Sequence, residues 1–155
     1  MIIKFTLGKN AKMPEHANER DAGYDVFFAG ENPVFLDTGS RCLFLTNLSW
    51  EPIFEPLEKE MFDRLHMGVY IDIRDRSGNS LKKGLLKMAG VVDEQYRGNI
   101  GIVLLNTSLD LVTINPGDKI AQIIFSPCFH PTSLQQVDSL SDTTRGSGGF
   151  GSTGN

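Results

Sequence analysis

A chain of 155 residues is one domain, long enough to bury roughly 68–70 % of its unfolded surface without a disulfide or metal staple. Hydrophobic residues at 40 % and charged residues at 22 % exclude an intrinsically disordered chain, and 15 Lys and Arg against 19 Asp and Glu, a net −4, argue against a duplex nucleic-acid binder. No stretch approaches the run of about 20 apolar residues that a membrane span needs.

In chain order, Met1-Ile-Ile-Lys lacks the basic-then-apolar pattern of a secretory signal, so a soluble intracellular chain, cytoplasmic or nuclear, is expected. Ile3-Lys4-Phe5 and Val34-Phe35-Leu36 read as short strands, and Ala22-Gly23-Tyr24-Asp25-Val26 places a carboxylate at a turn-to-strand junction. Leu57, Met61 and Leu65 recur every four residues beside Phe62, behind Pro56. They predict an amphipathic helix over 56–66, packed on the sheet. Val69 to Ile73, Ile100 to Leu105 and Ile120 to Phe125 are further strands, and Ser77 to Lys83 reads as a short helix before Gly84. Asn115-Pro116-Gly117-Asp118 is a turn between strands. With 16 Gly and no repeat, these short strands predict an all-β sandwich, jelly roll or barrel. Ser139 to Asn155 is dominated by Gly, Ser and Thr and predicts a mobile arm beyond a β domain over 1–138.

Cys42 and Cys128 have no ligand spacing and fit reduced thiols, and His16, His66 and His130 are too scattered for a transition-metal site. Three segments carry chemistry. The arm's Arg145, Phe150, Gly151, Ser152 and Thr153 combine a cation, a ring, hydroxyls and a glycine-rich backbone that can cradle an anion, although such a composition is more often a solvated linker. Arg76-Ser77-Gly78 at a helix start offers a second anion site, against the plain alternative of an ordinary N-cap. Gly90 to Gly101 holds Asp93, a candidate general base, and Tyr96, although Asp93 can equally close its own turn. Gln122 lies inside an apolar strand and needs a polar partner.

Taken together, AGYDV at 22–26, RSG with a following Lys and Gly at 76–84, GVVDEQYRGNIG at 90–101, GDKIAQ at 117–122 and RGSGGFGSTG at 145–154 resemble, in order, the motifs of the trimeric dUTP pyrophosphatase (dUTPase) family. The resemblance implies a jelly-roll-like β-clip domain with one or two short helices. It also implies a threefold homotrimer with shared active sites, and hydrolysis of dUTP to dUMP and pyrophosphate with Mg²⁺, which lowers dUTP and supplies dUMP for thymidylate synthesis. By the same resemblance Asp93 activates the water that attacks the α-phosphorus, and Tyr96 excludes a 2′-hydroxyl. The hairpin from Gly90 to Gly101 reads uracil, and Arg76, Ser77, Gly78 and Gln122 hold or orient phosphate. Asp25 meets the Mg²⁺ water shell, Phe150 stacks on the base, and Arg145, Gly151, Ser152 and Thr153 close over the terminal phosphate.

This sequence departs from the family pattern in places. Asp75 stands where Pro is usual, which is unfavourable near phosphate unless the carboxylate points away. Asn79-Ser80 replaces Leu-Ala, which predicts looser packing under the short helix. Gln95 replaces Asp, and Lys119 replaces Arg. The stretch around 40–70 is longer than usual; a packed decoration is the expected reading, and a protein partner docking there has no support. A dCTP deaminase of the same fold is disfavoured by Asp93, Tyr96 and the arm. Cellular and viral sources are both compatible with the family.

Overall fold

The computed structural model describes residues 1–148; Phe150, Gly151, Ser152 and Thr153 of the expected arm lie outside the described residues. Eleven strands and two short helices follow one another. The strands are β1 (Ile2–Leu7), β2 (Tyr24–Phe27), β3 (Val34–Leu36), β4 (Arg41–Leu45), β5 (Leu48–Ile53), β6 (Met67–Arg74), β7 (Leu85–Met88), β8 (Val91–Val92), β9 (Gly101–Asn106), β10 (Val112–Ile114) and β11 (Lys119–Phe129). Helix α1 (Pro56–Arg64) lies between β5 and β6, and α2 (Ser77–Lys83) between β6 and β7. No helix among the described residues is long and apolar enough to cross a membrane.

A four-stranded antiparallel sheet runs β2-β11-β6-β8, and a three-stranded one runs β4-β9-β7. The pairs β1-β5 and β3-β10 complete the jelly-roll-like fold. Alternation explains the layering: Val26, Ile71, Ile73 and Ile123 from the first sheet meet Phe44, Leu85, Ile102 and Leu104 from the second in one core. Leu48 and Trp50 from β5 fill the same core, each 1 % exposed. The opposite face of the β4-β9-β7 sheet is also apolar. Leu43, Val103 and Met88 form one row across it, and Leu45 and Leu86 flank that row, with Leu43, Leu45, Leu86 and Met88 all exposed.

Two expectations need correction. The segment 40–70 is not a decoration as a whole, because β4 and β5 are core strands; only α1 is added to the sheet framework. Helix α1 forms as predicted, with Pro56 in its first turn and the Glu58 carboxylate accepting the Glu55 N–H at 3.0 Å. Its stripe does not pack on the sheet: Leu57 is 81 % exposed, and Met61 and Leu65 are exposed too. Phe62 holds the helix instead, against Phe54 with ring centroids 4.8 Å apart.

Candidate functional site

The order of the strands brings three distant sequence segments to one cleft of about 420 Å³, lined by Ala22, Gly23, Asp25, Arg76, Ser77, Gly78 and Gln122 among others. Asp25 sits on β2 directly across from Gln122 on β11. Arg76, just before α2, donates from Nε to Asp25 Oδ1 at 2.7 Å and from Nη2 to Oδ2 at 3.3 Å. Lys119 Nζ reaches the same Oδ2 at 2.9 Å and Glu15 Oε1 at 2.9 Å. Those contacts, with Glu15 first and Asp25 second, raise the Lys119 ammonium above its ordinary 10.5. Asp25 is nearly buried, so this fork of charge-assisted hydrogen bonds fixes the direction of the Arg76 side chain.

Gln122 finds the partner its apolar strand requires: Nε2 donates to the Asp75 carbonyl at 2.8 Å. Gly23 leaves room for that carboxamide, because a Cβ there would displace it. Asp75 itself points away from the cleft, its Oδ1 accepting the Lys87 N–H, so the carboxylate in the usual Pro position does not repel an anion at Ser77. Nor does Asn79 loosen α2. It is buried, and its Nδ2 donates to the Lys119 carbonyl at 2.9 Å and to that of Ile120 at 3.4 Å. The resemblance alone could not show these roles for Asp75 and Asn79; the available signal was that a polar residue in a buried position must find partners. Gly78 faces open space on the cleft side of α2.

A second cleft of about 600 Å³ is lined by Val69, Tyr70, Asp93, Glu94, Tyr96 and His130 among others. The Gly90 carbonyl accepts the Ile73 N–H at 2.7 Å, and the Tyr96 N–H donates to the Asp93 carbonyl at 3.0 Å to close the turn. The Asp93 carboxylate is exposed and has no hydrogen-bond or ionic partner among the described residues. The Tyr96 hydroxyl donates to the Asn99 carbonyl at 3.1 Å, which lays the ring across Gly98, where a Cβ would strike the phenol. Gly101 packs against Leu43. The two clefts share no lining residue, so one chain does not bring Asp93 together with Asp25, Arg76 and Gln122. Arg145 is exposed in a turn after β11, and its Nε donates to the Gly148 carbonyl at 3.1 Å.

The geometry suits no self-sufficient metal centre. No group of three His, Cys, Asp or Glu side chains among the described residues could hold an ion, and both Asp25 oxygens are already engaged by cations. That donor set offers no open carboxylate pair for a bare ion and is compatible only with a cation that keeps its water shell on an anionic ligand.

These features define an all-β, jelly-roll-type domain with one cleft in which Arg76, Ser77 and Gly78 meet Asp21, Asp25 and Gln122, and a separate cleft that sets a carboxylate beside a tyrosine ring. Comparison with known proteins makes the assignment specific. The dUTPase family model matches residues 60–154. The deoxyuridine 5'-triphosphate nucleotidohydrolase of Vaccinia virus (strain Copenhagen) is 39 % identical over 153 residues, covering 98 % of this chain and 92 % of that protein. The mitochondrial human enzyme of the same name is 35 % identical over 160 residues; the match takes in 99 % of this chain and 55 % of the human one, so this chain spans about half that relative's length. The solved dUTPase of Staphylococcus bacteriophage 80alpha with dUpNHpp superposes with a TM-score of 0.78 at 28 % identity, covering 99 % of both chains. The chain belongs to the dUTPase family.

Proposed function

We propose that this chain hydrolyses dUTP to dUMP and pyrophosphate, as the names of its relatives describe for them. The observation that carries this reading is the Asp93 carboxylate, exposed and unpaired among the described residues at the wall of a cleft it shares with Tyr96. Asp93 aligns a water on the α-phosphorus and accepts its proton, while the phenol of Tyr96, held by Asn99, packs on the sugar and leaves no room for a 2′-hydroxyl. The hairpin from Gly90 to Gly101 reads the uracil edge. Arg76, oriented by Asp25, takes the phosphates with Ser77 and Gly78, and Gln122 orients phosphate or water beside them.

A triphosphate carries about four negative charges, which repel a water nucleophile until cations neutralise them. Mg²⁺ carried with the substrate would supply that neutralisation, and Asp25 would be the residue to meet its water shell. Residues 139–155 act as the arm, with Arg145, Phe150, Gly151, Ser152 and Thr153 closing over base and terminal phosphate and excluding bulk water. Asp93 and Arg76 line different clefts of one chain, which supports a site shared between copies; the threefold form of that assembly is what the family resemblance implies.

The test is product analysis with Mg²⁺ and dUTP, UTP, dTTP and dCTP in parallel, beside Asp93→Asn. Pyrophosphate is expected from dUTP alone. The variant is expected to stay folded, because the exposed carboxylate holds nothing else, and to lose activity by about 10²–10⁴-fold. Ammonia from dCTP, or undiminished turnover by the variant, overturns the reading.

A further inference from the structure

Strand β6 pairs with β11 only from Gln122 onward. Before that point the β11 edge facing α2 has no strand beside it, and the β2-β11 register slips between Lys119 and Ala121. This irregular segment carries Lys119, whose ammonium reaches Asp25, and precedes Gln122, whose carboxamide reaches Asp75. Asn79 occupies the gap. It is 8 % exposed, and its Nδ2 donates to both the Lys119 and the Ile120 carbonyls. On its backbone side the Asn79 N–H donates to the Arg76 carbonyl at 2.9 Å. Asn79 therefore joins the start of α2, which presents Arg76, Ser77 and Gly78, to the strand that presents Lys119 and Gln122.

We propose that Asn79 is a positioning residue for polyphosphate binding: its carboxamide sets the spacing between the two walls of the cleft that Arg76 and Gln122 line. A leucine there could fill the volume but could not donate to the two carbonyls, and the wall bearing Arg76 would be held by packing alone. Asn79 touches no substrate itself, and the inference rests on the functional reading above. The consequence is selective. Loss of the carboxamide weakens the grip on phosphates in this cleft and leaves the separate cleft of Asp93 and Tyr96 intact.

The experiment measures binding of dUpNHpp and of deoxyuridine to the full chain with Mg²⁺, and steady-state kinetics on dUTP. The proteins are wild type, Asn79→Leu, Asn79→Ala and Asn79→Gln, with thermal unfolding run on each. Asn79→Leu and Asn79→Ala are expected to bind dUpNHpp about tenfold more weakly, with KM raised and deoxyuridine affinity unchanged. Asn79→Gln, which keeps a donor amide, recovers part of the loss. A variant that fails to fold leaves the other two to decide. Equal weakening for both ligands, or no weakening for either, overturns the positioning role. Wild-type protein that neither binds dUpNHpp nor hydrolyses dUTP overturns the functional reading itself, a result distinct from active wild type with indifferent variants.

Discussion

Two cations converge on the Asp25 carboxylate, Arg76 from the loop before α2 and Lys119 from the start of β11. Replacing Asp25 by Ala strands Arg76 in a partly covered cleft and leaves Lys119 to Glu15 alone, and the expected cost is about 1–3 kcal/mol, read from the urea midpoint. Lys119 gives the cluster a pH signature. Its folded pKa is raised above 10.5, mainly by Glu15 and then by Asp25, so the folded state holds the proton more tightly than the unfolded chain does. The stabilisation is complete below 10.5 and fades as pH climbs through the higher folded value. Lys119→Met should therefore unfold more easily than wild type at neutral pH, and the two urea midpoints should converge in strong alkali; a constant gap would remove Lys119 from the cluster. Asp25, Arg76 and Gln122 were each legible in the sequence as polar residues at motif positions. Their pairing was not, because Asp25 and Arg76 are 51 residues apart and no periodicity links a β2 carboxylate to a guanidinium after β6. Asp75 was legible only as a conflict, which the Lys87 N–H resolves.

Helix α1 shows what a period does and does not encode. The spacing of Leu57, Met61 and Leu65 marks a helix, but the side that meets the body is set elsewhere, by Phe62 on Phe54 and by the Met1 ammonium on Glu58. Leu57→Gln with Met61→Gln should change unfolding free energy by less than about 0.5 kcal/mol, since both side chains are exposed. Phe62→Ala should lose about 1–2 kcal/mol and loosen the helix in hydrogen exchange. The reverse ranking would mean that the stripe packs after all. In β5 the signal was present and went unread: Leu48, Trp50 and Pro52 alternate with polar residues, and their burial follows that alternation. Pro52 obscures it, yet a proline is tolerated because β5 belongs to a two-stranded pair and need not donate on both sides. Trp50→Ala should cost about 3–5 kcal/mol, a core penalty that no surface decoration carries.

At the scale of the molecule, short strands and turn residues were enough to read an all-β class, whereas the grouping into β2-β11-β6-β8 and β4-β9-β7 sheets depends on pairings far apart in the chain. Assembly was legible only through the resemblance, and the structure adds a physical motive for it. The outer face of the β4-β9-β7 sheet presents Leu43, Leu45, Leu86 and Met88 to solvent, while Phe44, Ile102 and Leu104 face the core. A contiguous apolar sheet face of this kind is costly to leave in water and suits burial against other copies. On the proposed function, the separation of Asp93 and Tyr96 from Asp25 and Arg76 would give that burial a catalytic consequence. Leu43→Glu combined with Leu86→Glu places charges on this face without touching either cleft. If the proposed threefold assembly buries this face, light scattering should find three chains for wild type and a mass close to one chain for the variant, with the β-sheet circular dichroism retained. Pyrophosphate release from dUTP should fall with assembly, and it should return in mixtures where Asp93→Asn and Arg76→Ala chains co-assemble, because each supplies the cleft the other lacks. Full turnover by the dispersed single chains would show instead that one copy completes its own site.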